Sequence, residues 1–257
     1  MTDLVLTEKN NHILTVRVNR LDRKNALTHD MYTALGDAIE QARDDNDIRC
    51  IVYTGSEDCF TAGNDLGDFA AGLPGEFEDT PVGRFLLLLA TTNKPIVAAV
   101  NGPAVGIGTT MLLHCDMVFA GTNTRFQMPF ATLGLCPEGG SSLLLPSWLG
   151  RVRAAELLML GDTFTAEDAL RLGLINKVCE PARTEATAIE ACARLAAQPP
   201  AAIRATRELL NRATGEALTT TMLAEGKLFA ERLKSPENAE AIKAFTEKRK
   251  PDFSNFK

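Results

Sequence analysis

Histidine is scarce in this chain, three in 257 residues, and none of the three is spaced with another ligand as a metal site requires. A metal-independent protein is therefore expected. Positive charge is also in deficit. Lys and Arg number 27 against 33 Asp and Glu, leaving a net charge of −6. That argues against a broad nucleic-acid-binding face, though not against a local basic pocket. The six cysteines (Cys50, Cys59, Cys115, Cys136, Cys179, Cys192) include no C-x-x-C pair and mostly sit in apolar runs. They read as reduced core residues in a reducing compartment. No apolar run is long and clean: the span 96–120 is interrupted by Asn101, Pro103, His114 and Asp116, which speaks against a membrane helix. The opening MTDLVLTEKN has neither a basic n-region nor a long apolar stretch, and Asn255-Phe256-Lys257 is not a peroxisomal address. The expectation is a soluble, cytoplasmic protein. Two phosphate-binding signatures are missing as well. The third glycine of a dinucleotide fingerprint begun at Gly106 would fall at Met111, and no G-x-x-x-x-G-K-[ST] run occurs.

Apolar residues make up 45% of the chain, enough for one large domain or a main domain with an appendage. Leu14, Val16 and Val18 alternate with polar neighbours as in a strand. Thr28 is a plausible N-cap for a helix whose inner face is Met31, Leu35, Ile39 and Ala42. Strands follow at 48–53, 96–100, 117–121, 125–128 and 174–178, and Pro81 opens a helix through Phe85–Leu89. Ala70–Thr80, rich in Gly and acid, reads as a mobile loop. Helical segments are expected at 109–114, 141–145 and 151–160, with another capped by Thr165 and Asp168. From Thr184 the chain looks helical throughout, punctuated by Pro199-Pro200 and Pro236. These are repeated strand-strand-helix units with a helical tail, divided near Gln198 into a core over 1–198 and a region over 199–257.

The stretch Ile96–Cys115 (IVAAVNGPAVGIGTTMLLHC) is the one the rest is organised around. A strand feeding Gly106-Ile107-Gly108 and then a helix start puts free N–H groups at one point, which suits an anion. A tight buried turn with no ligand accounts for it equally well. A second turn of this kind lies at Gly63-Asn64. If the two converge, their N–H groups make an oxyanion hole fit for a thioester turning into an enolate. Glu138 sits between Pro137 and Gly139-Gly140 in an otherwise apolar loop. It reads either as a base strengthened by apolar surroundings or as an exposed acid near a helix start. Arg20, Arg23 and Lys24, and Lys248-Arg249-Lys250, are basic clusters that hold phosphates or simply face solvent. His12 and His29 read as surface residues and His114 as a core residue.

Taken together these residues resemble the crotonase superfamily, the enoyl-CoA hydratases and isomerases. The resemblance runs through Val18-Asn19-Arg20, Asn25-Ala26-Leu27, Phe60-Thr61-Ala62-Gly63-Asn64-Asp65-Leu66, Asn101-Gly102-Pro103-Ala104-Val105-Gly106, Cys115-Asp116 and Ala244-Phe245-Thr246-Glu247-Lys248-Arg249. It implies an α/β fold, a crotonase-like ββα spiral with a C-terminal helical trimerisation region, assembled as a homotrimer or dimer of trimers. It implies an acyl-CoA thioester substrate, with no cofactor beyond the coenzyme A that the substrate carries. The thioester oxygen would lie between the Asn64 and Ile107 N–H groups. Lys24, Ala62, Asp65 and Leu66 match coenzyme A contacts, with Phe245 and Lys248 of the tail as further ones.

The hydratases of the family carry two glutamates, and their matching positions here hold Thr110 and Phe130. Adding water needs a base for the water and an acid for the α-carbon, so hydration becomes doubtful. The loop Leu133–Gly140 instead looks like that of the peroxisomal-type 3-enoyl-CoA to 2-enoyl-CoA isomerases, in which the glutamate matching Glu138 is the base. The resemblance thus implies an enoyl-CoA isomerase. The alternatives are another crotonase reaction (hydration, or isomerisation of a ring-derived acyl-CoA) and a catalytically silent acyl-CoA-binding trimer.

Overall fold

The computed structural model describes residues 4–65, 67–68 and 75–256. Strands β1 (Val5–Asn10) and β2 (Ile13–Val18) form a hairpin closed by Asn11 and His12, both at positive φ as a two-residue turn requires. Strands β3 (Cys50–Thr54), β4 (Ile96–Val100), β6 (Met117–Gly121) and β9 (Lys177–Cys179) extend it in parallel, in the order β1-β2-β3-β4-β6-β9. The short strands β5 (Pro103–Val105), β7 (Arg125–Gln127) and β8 (Phe164–Thr165) make a second sheet. After β4 and again after β6 the chain steps from the large sheet to the small one, so successive turns stack as a spiral.

Parallel strands covered on both faces need apolar residues at every position; β3 and β4 are buried throughout. Their alternation divides two cores. Ile51, Tyr53, Ile96, Ala98 and Val100 face the main core with α1 (His29–Asp44) and α2 (Pro81–Thr91). Cys50, Val52, Val97 and Ala99 face α7 (Pro181–Ala196) through Ala188 and Cys192. There Cys50 and Cys192 are joined as a disulfide, Cα–Cα 5.9 Å. This corrects the expectation of six reduced cysteines. The strand and the helix that carry the pair lie 142 residues apart, and only the packed fold brings them together.

Capping follows the sequence. Thr28 accepts from Met31 N, Thr80 accepts from Gly83 N ahead of Pro81, and Thr165 with Asp168 completes a capping box on α6 (Ala166–Arg171). Three elements differ from expectation. Strand β1 is an edge with charged, exposed residues, so it lacks a clear apolar face. The expected helix at 109–114 is one α-turn, α3 (Ile107–Thr110), tightening into a 3-10 turn over Met111–His114. The last strand lies at Lys177–Cys179, C-terminal of the expected 174–178. Of the expected loop Ala70–Thr80, the part before Gly75 lies outside the described residues, and Phe77–Asp79 forms a 3-10 turn. Helix α4 (Ser141–Leu149) runs into α5 (Arg151–Ala155), and α8 (Pro200–Arg212), α9 (Gly215–Leu233) and α10 (Pro236–Thr246) form the tail. No helix among the described residues is long and apolar enough to cross a membrane.

One buried cation ties the tail to the sheet. Arg207 of α8 is 5% exposed; its Nε donates to Asp116 Oδ2 at 2.9 Å and its Nη groups donate to the Thr92 and His114 carbonyls. Removing one partner of a buried pair strands the other. Arg207→Met is therefore expected to cost about 3 kcal/mol in urea denaturation, near the low end because Asp116 retains some access to water.

Candidate active site

Two turns meet at the end of the small sheet. Thr61 bridges Ala104, donating from N to Pro103 O (3.0 Å) and accepting from Val105 N (3.1 Å). Gly63 has φ +90, and a Cβ there would lie 2.8 Å from Val105 O; one on Gly108 would lie 2.5 Å from Thr61 Cγ2. Only glycine permits the backbone-on-backbone approach at Gly63 and the close seat of Thr61 on Gly108. Asn25 supports it from beneath: fully buried at φ 55, it donates to the Cys59 and Phe60 carbonyls, and its own carbonyl accepts from Thr61 Oγ1.

Leu27 N donates to Gly63 O and Asp65 N donates to Leu27 O, each at 2.8 Å, so the Asn64 N–H between them points away from that bridge. Ile107 opens α3, where first-turn N–H groups have no intrahelical partner. Neither N–H meets a protein acceptor among the described residues. Two free donors on turns in backbone contact are what an oxyanion hole requires.

Glu138 is the buried carboxyl beside them, 7% exposed, and it accepts a hydrogen bond from Thr110 Oγ1, one turn along the helix that Ile107 begins. The exposed-acid reading of the loop is thereby set aside. Burial pushes its carboxyl up to about 8; the Thr110 hydroxyl opposes the shift and Glu225 adds to it. His114, buried as expected, lies at the Gly139 carbonyl, Nε2 to O 2.8 Å. Burial depresses it to about 4, so the ring is neutral, and since a carbonyl only accepts, Nε2 carries the proton.

A pocket lined by Leu27, Tyr32, Asn64, Phe77, Glu138 and Phe229 opens in front of the carboxyl. Asp65 and Asp68 also line it, but Asp65 pairs with Arg20 (2.7 Å) and Asp68 accepts from His29 N (2.9 Å). Phe130, which the resemblance matches to a hydratase glutamate, is buried with its ring edge-on to Phe229. The aromatic lining residues escaped the sequence reading. Tyr32, whose hydroxyl donates to Asn64 Oδ1, looks in sequence like another core residue of α1. Phe77 and Phe229 carry no motif. His29, read as a surface residue, keeps its side chain 31% exposed and also lines the pocket.

Of the positions matched to coenzyme A contacts, Lys24, Ala62 and Asp65 lie together: Ala62 N donates to Lys24 O at 2.9 Å, and Arg20 links Asp65 to the same loop. Arg20 is thus engaged by a carboxylate. Leu66 lies outside the described residues. Phe245 is 64% exposed on α10 and Lys248 follows it at φ 54. No hydrogen bond or ion pair joins either to the Lys24 loop among the described residues.

The enoyl-CoA hydratase/isomerase family profile matches residues 8–256. The 1,2-epoxyphenylacetyl-CoA isomerase of Escherichia coli is 33% identical over 99% of this chain and 99% of its own length. The 2,3-dehydroadipyl-CoA hydratase of the same organism is 33% identical over 98% and 99%. Among solved structures, OdaA of Pseudomonas aeruginosa is 45% identical, superposing with a TM-score of 0.92 over 95% of this chain and 99% of that one. A match along nearly the whole length, on the spiral fold and through the turns that form the site, has one meaning: the chain belongs to the enoyl-CoA hydratase/isomerase family.

Proposed function

We propose that this chain moves the double bond of a 3-enoyl-CoA thioester to the 2-position, with Glu138 as the single proton carrier. The observation that supports this best is that, among the described residues, Glu138 is the one pocket carboxyl buried without a cationic or backbone N–H partner. The family resemblance, which sets Thr110 and Phe130 at the positions of the hydratase glutamates, agrees with it.

The steps need nothing more. The Glu138 carboxylate takes a proton from C2, and the electrons of that C–H bond delocalise through the thioester. The oxygen becomes an oxyanion between the Asn64 and Ile107 N–H groups. The dienolate then takes the same proton from Glu138 at C4, and the double bond is left between C2 and C3. Proton uptake and return balance, so no water is activated and no resident cofactor or metal takes part. Lys24, Ala62, Asp65 and Leu66, with Phe245 and Lys248, hold the coenzyme A portion in this reading. The working form is a homotrimer or a dimer of trimers, consistent with apolar side chains left exposed at Trp148, Val152, Met159 and Leu160.

Purified protein given a trans-3-enoyl-CoA is expected to generate the absorbance of a conjugated enoyl thioester. With a trans-2-enoyl-CoA that absorbance is expected to hold steady. Its loss with the second substrate would mean that water is being added and would overturn the single-carboxylate reading.

A further inference from the structure

Glu138 is followed by Gly139 at φ +65 and Gly140 at φ +75. Two glycines in the left-handed region give the loop little stiffness of its own, so the direction of the Glu138 side chain depends on what grips residues 139–142. On the core side the grip is the neutral His114 ring on Gly139 O at 2.8 Å. On the other side it is Glu225, in the middle of α9. Its carboxylate accepts from Gly140 N (2.6 Å), Ser142 N (2.9 Å) and Ser142 Oγ (2.5 Å), and the residue is 7% exposed. The helix presses close here, since a Cβ on Gly140 would lie 2.3 Å from Leu218 Cδ1. Helix α4 has glycine at its N-cap and no side-chain cap of its own, and Glu225 fills that place from 83 to 85 residues away.

We propose that Glu225 is a positioning residue for Glu138, acting through the Gly140–Ser142 backbone and making the C-terminal helices part of the catalytic apparatus. The assignment rests on the reading of Glu138 as the proton carrier. A glutamine at this position keeps the size but has one acceptor oxygen for donors that now occupy two. Its amide N–H would face another N–H, so the turn must shift. Displacements of about 1 Å cost on the order of 10²-fold in rate.

Two rates would be measured at saturating substrate: isomerisation of a 3-enoyl-CoA, and exchange of the C2 hydrogen of a saturated acyl-CoA in deuterated water. The second reads proton abstraction without any double bond. Glu225→Gln is expected to lower kcat for both by about 10- to 100-fold, with KM within about threefold of wild type. Unchanged kcat with only a lowered melting temperature would reduce Glu225 to a helix cap and overturn the proposal. If Glu225→Gln does not fold, Ser142→Ala decides, because it removes the hydroxyl donor to Glu225 and leaves the two backbone donors. A kcat lowered about threefold at constant KM supports the assignment, and an unchanged kcat overturns it. Wild-type protein that neither isomerises nor exchanges would overturn the role of Glu138 and this assignment with it. Wild-type exchange matched by Glu225→Gln overturns this assignment alone.

Discussion

Glu138→Gln is expected to lower kcat on a 3-enoyl-CoA by about 10³-fold while KM changes by less than about threefold. Glutamine fills the same volume, and its amide oxygen still accepts the Thr110 hydroxyl, so substrate binding and fold survive while the proton carrier is lost. The pH dependence of the wild type supports the same assignment by an independent route. With burial holding the Glu138 carboxyl at about 8, kcat/KM rises tenfold for each step of one in pH through the acid range and levels off above about pH 8. The variant shows no such limb.

Stability follows with the opposite slope. The folded protein keeps the Glu138 proton up to about pH 8, whereas the unfolded chain releases it near the ordinary 4.5. Stability contributed by the neutral carboxyl is complete below the lower value and is lost as pH rises through the upper one. Wild type and Glu138→Gln should therefore melt at similar temperatures at pH 5. At pH 9 the variant should be the more stable by several kcal/mol, since every tenfold difference in proton affinity between the folded and unfolded chain is worth about 1.36 kcal/mol. Equal melting temperatures at pH 9 would show that Glu138 ionises in the folded protein at no cost.

Gly63→Ala is expected to lower kcat by about 10²- to 10³-fold, because the new methyl meets Val105 O at 2.8 Å and wedges the two turns apart. In the proposed reaction, separating the Asn64 and Ile107 N–H groups removes one donor from the oxyanion, a loss of about 2.7–4 kcal/mol in the transition state. Strain from φ +90 would lower stability too, and Gly75→Ala controls for this. Gly75 has φ +85 but nothing within 4 Å of its would-be Cβ. It carries the same dihedral penalty without the wedge and should keep full activity. Equal losses in the two variants would trace the effect to strain alone.

What could be read from sequence is what local chemistry determines. The apolar runs Ile96–Val100 and Met117–Gly121, the Thr28 and Thr165 caps and the Pro81 helix start depend on near neighbours, and the structure has them where the residues put them. Strands of two or three residues, such as β5 and β8, are too short to show a period. The site is legible only in pieces. The glycine turns are visible, but their contact depends on the Thr61–Ala104 bridge. The Glu138 loop suits an exposed or a buried acid until α9 packs over it, and the aromatic wall of Tyr32, Phe77 and Phe229 comes from three distant segments.

The seclusion of Glu138 has a stereochemical corollary. Glu138, a residue only 7% exposed, is partly shielded from bulk water, so in the proposed reaction the atom delivered to C4 is expected, in a share of turnovers, to be the one just lifted from C2. The product then carries an isotopic memory of its substrate. If one carboxyl serves both carbons from one wall of the pocket, as proposed, departure and arrival occur on the same face of the planar intermediate, and the transfer is expected to be suprafacial.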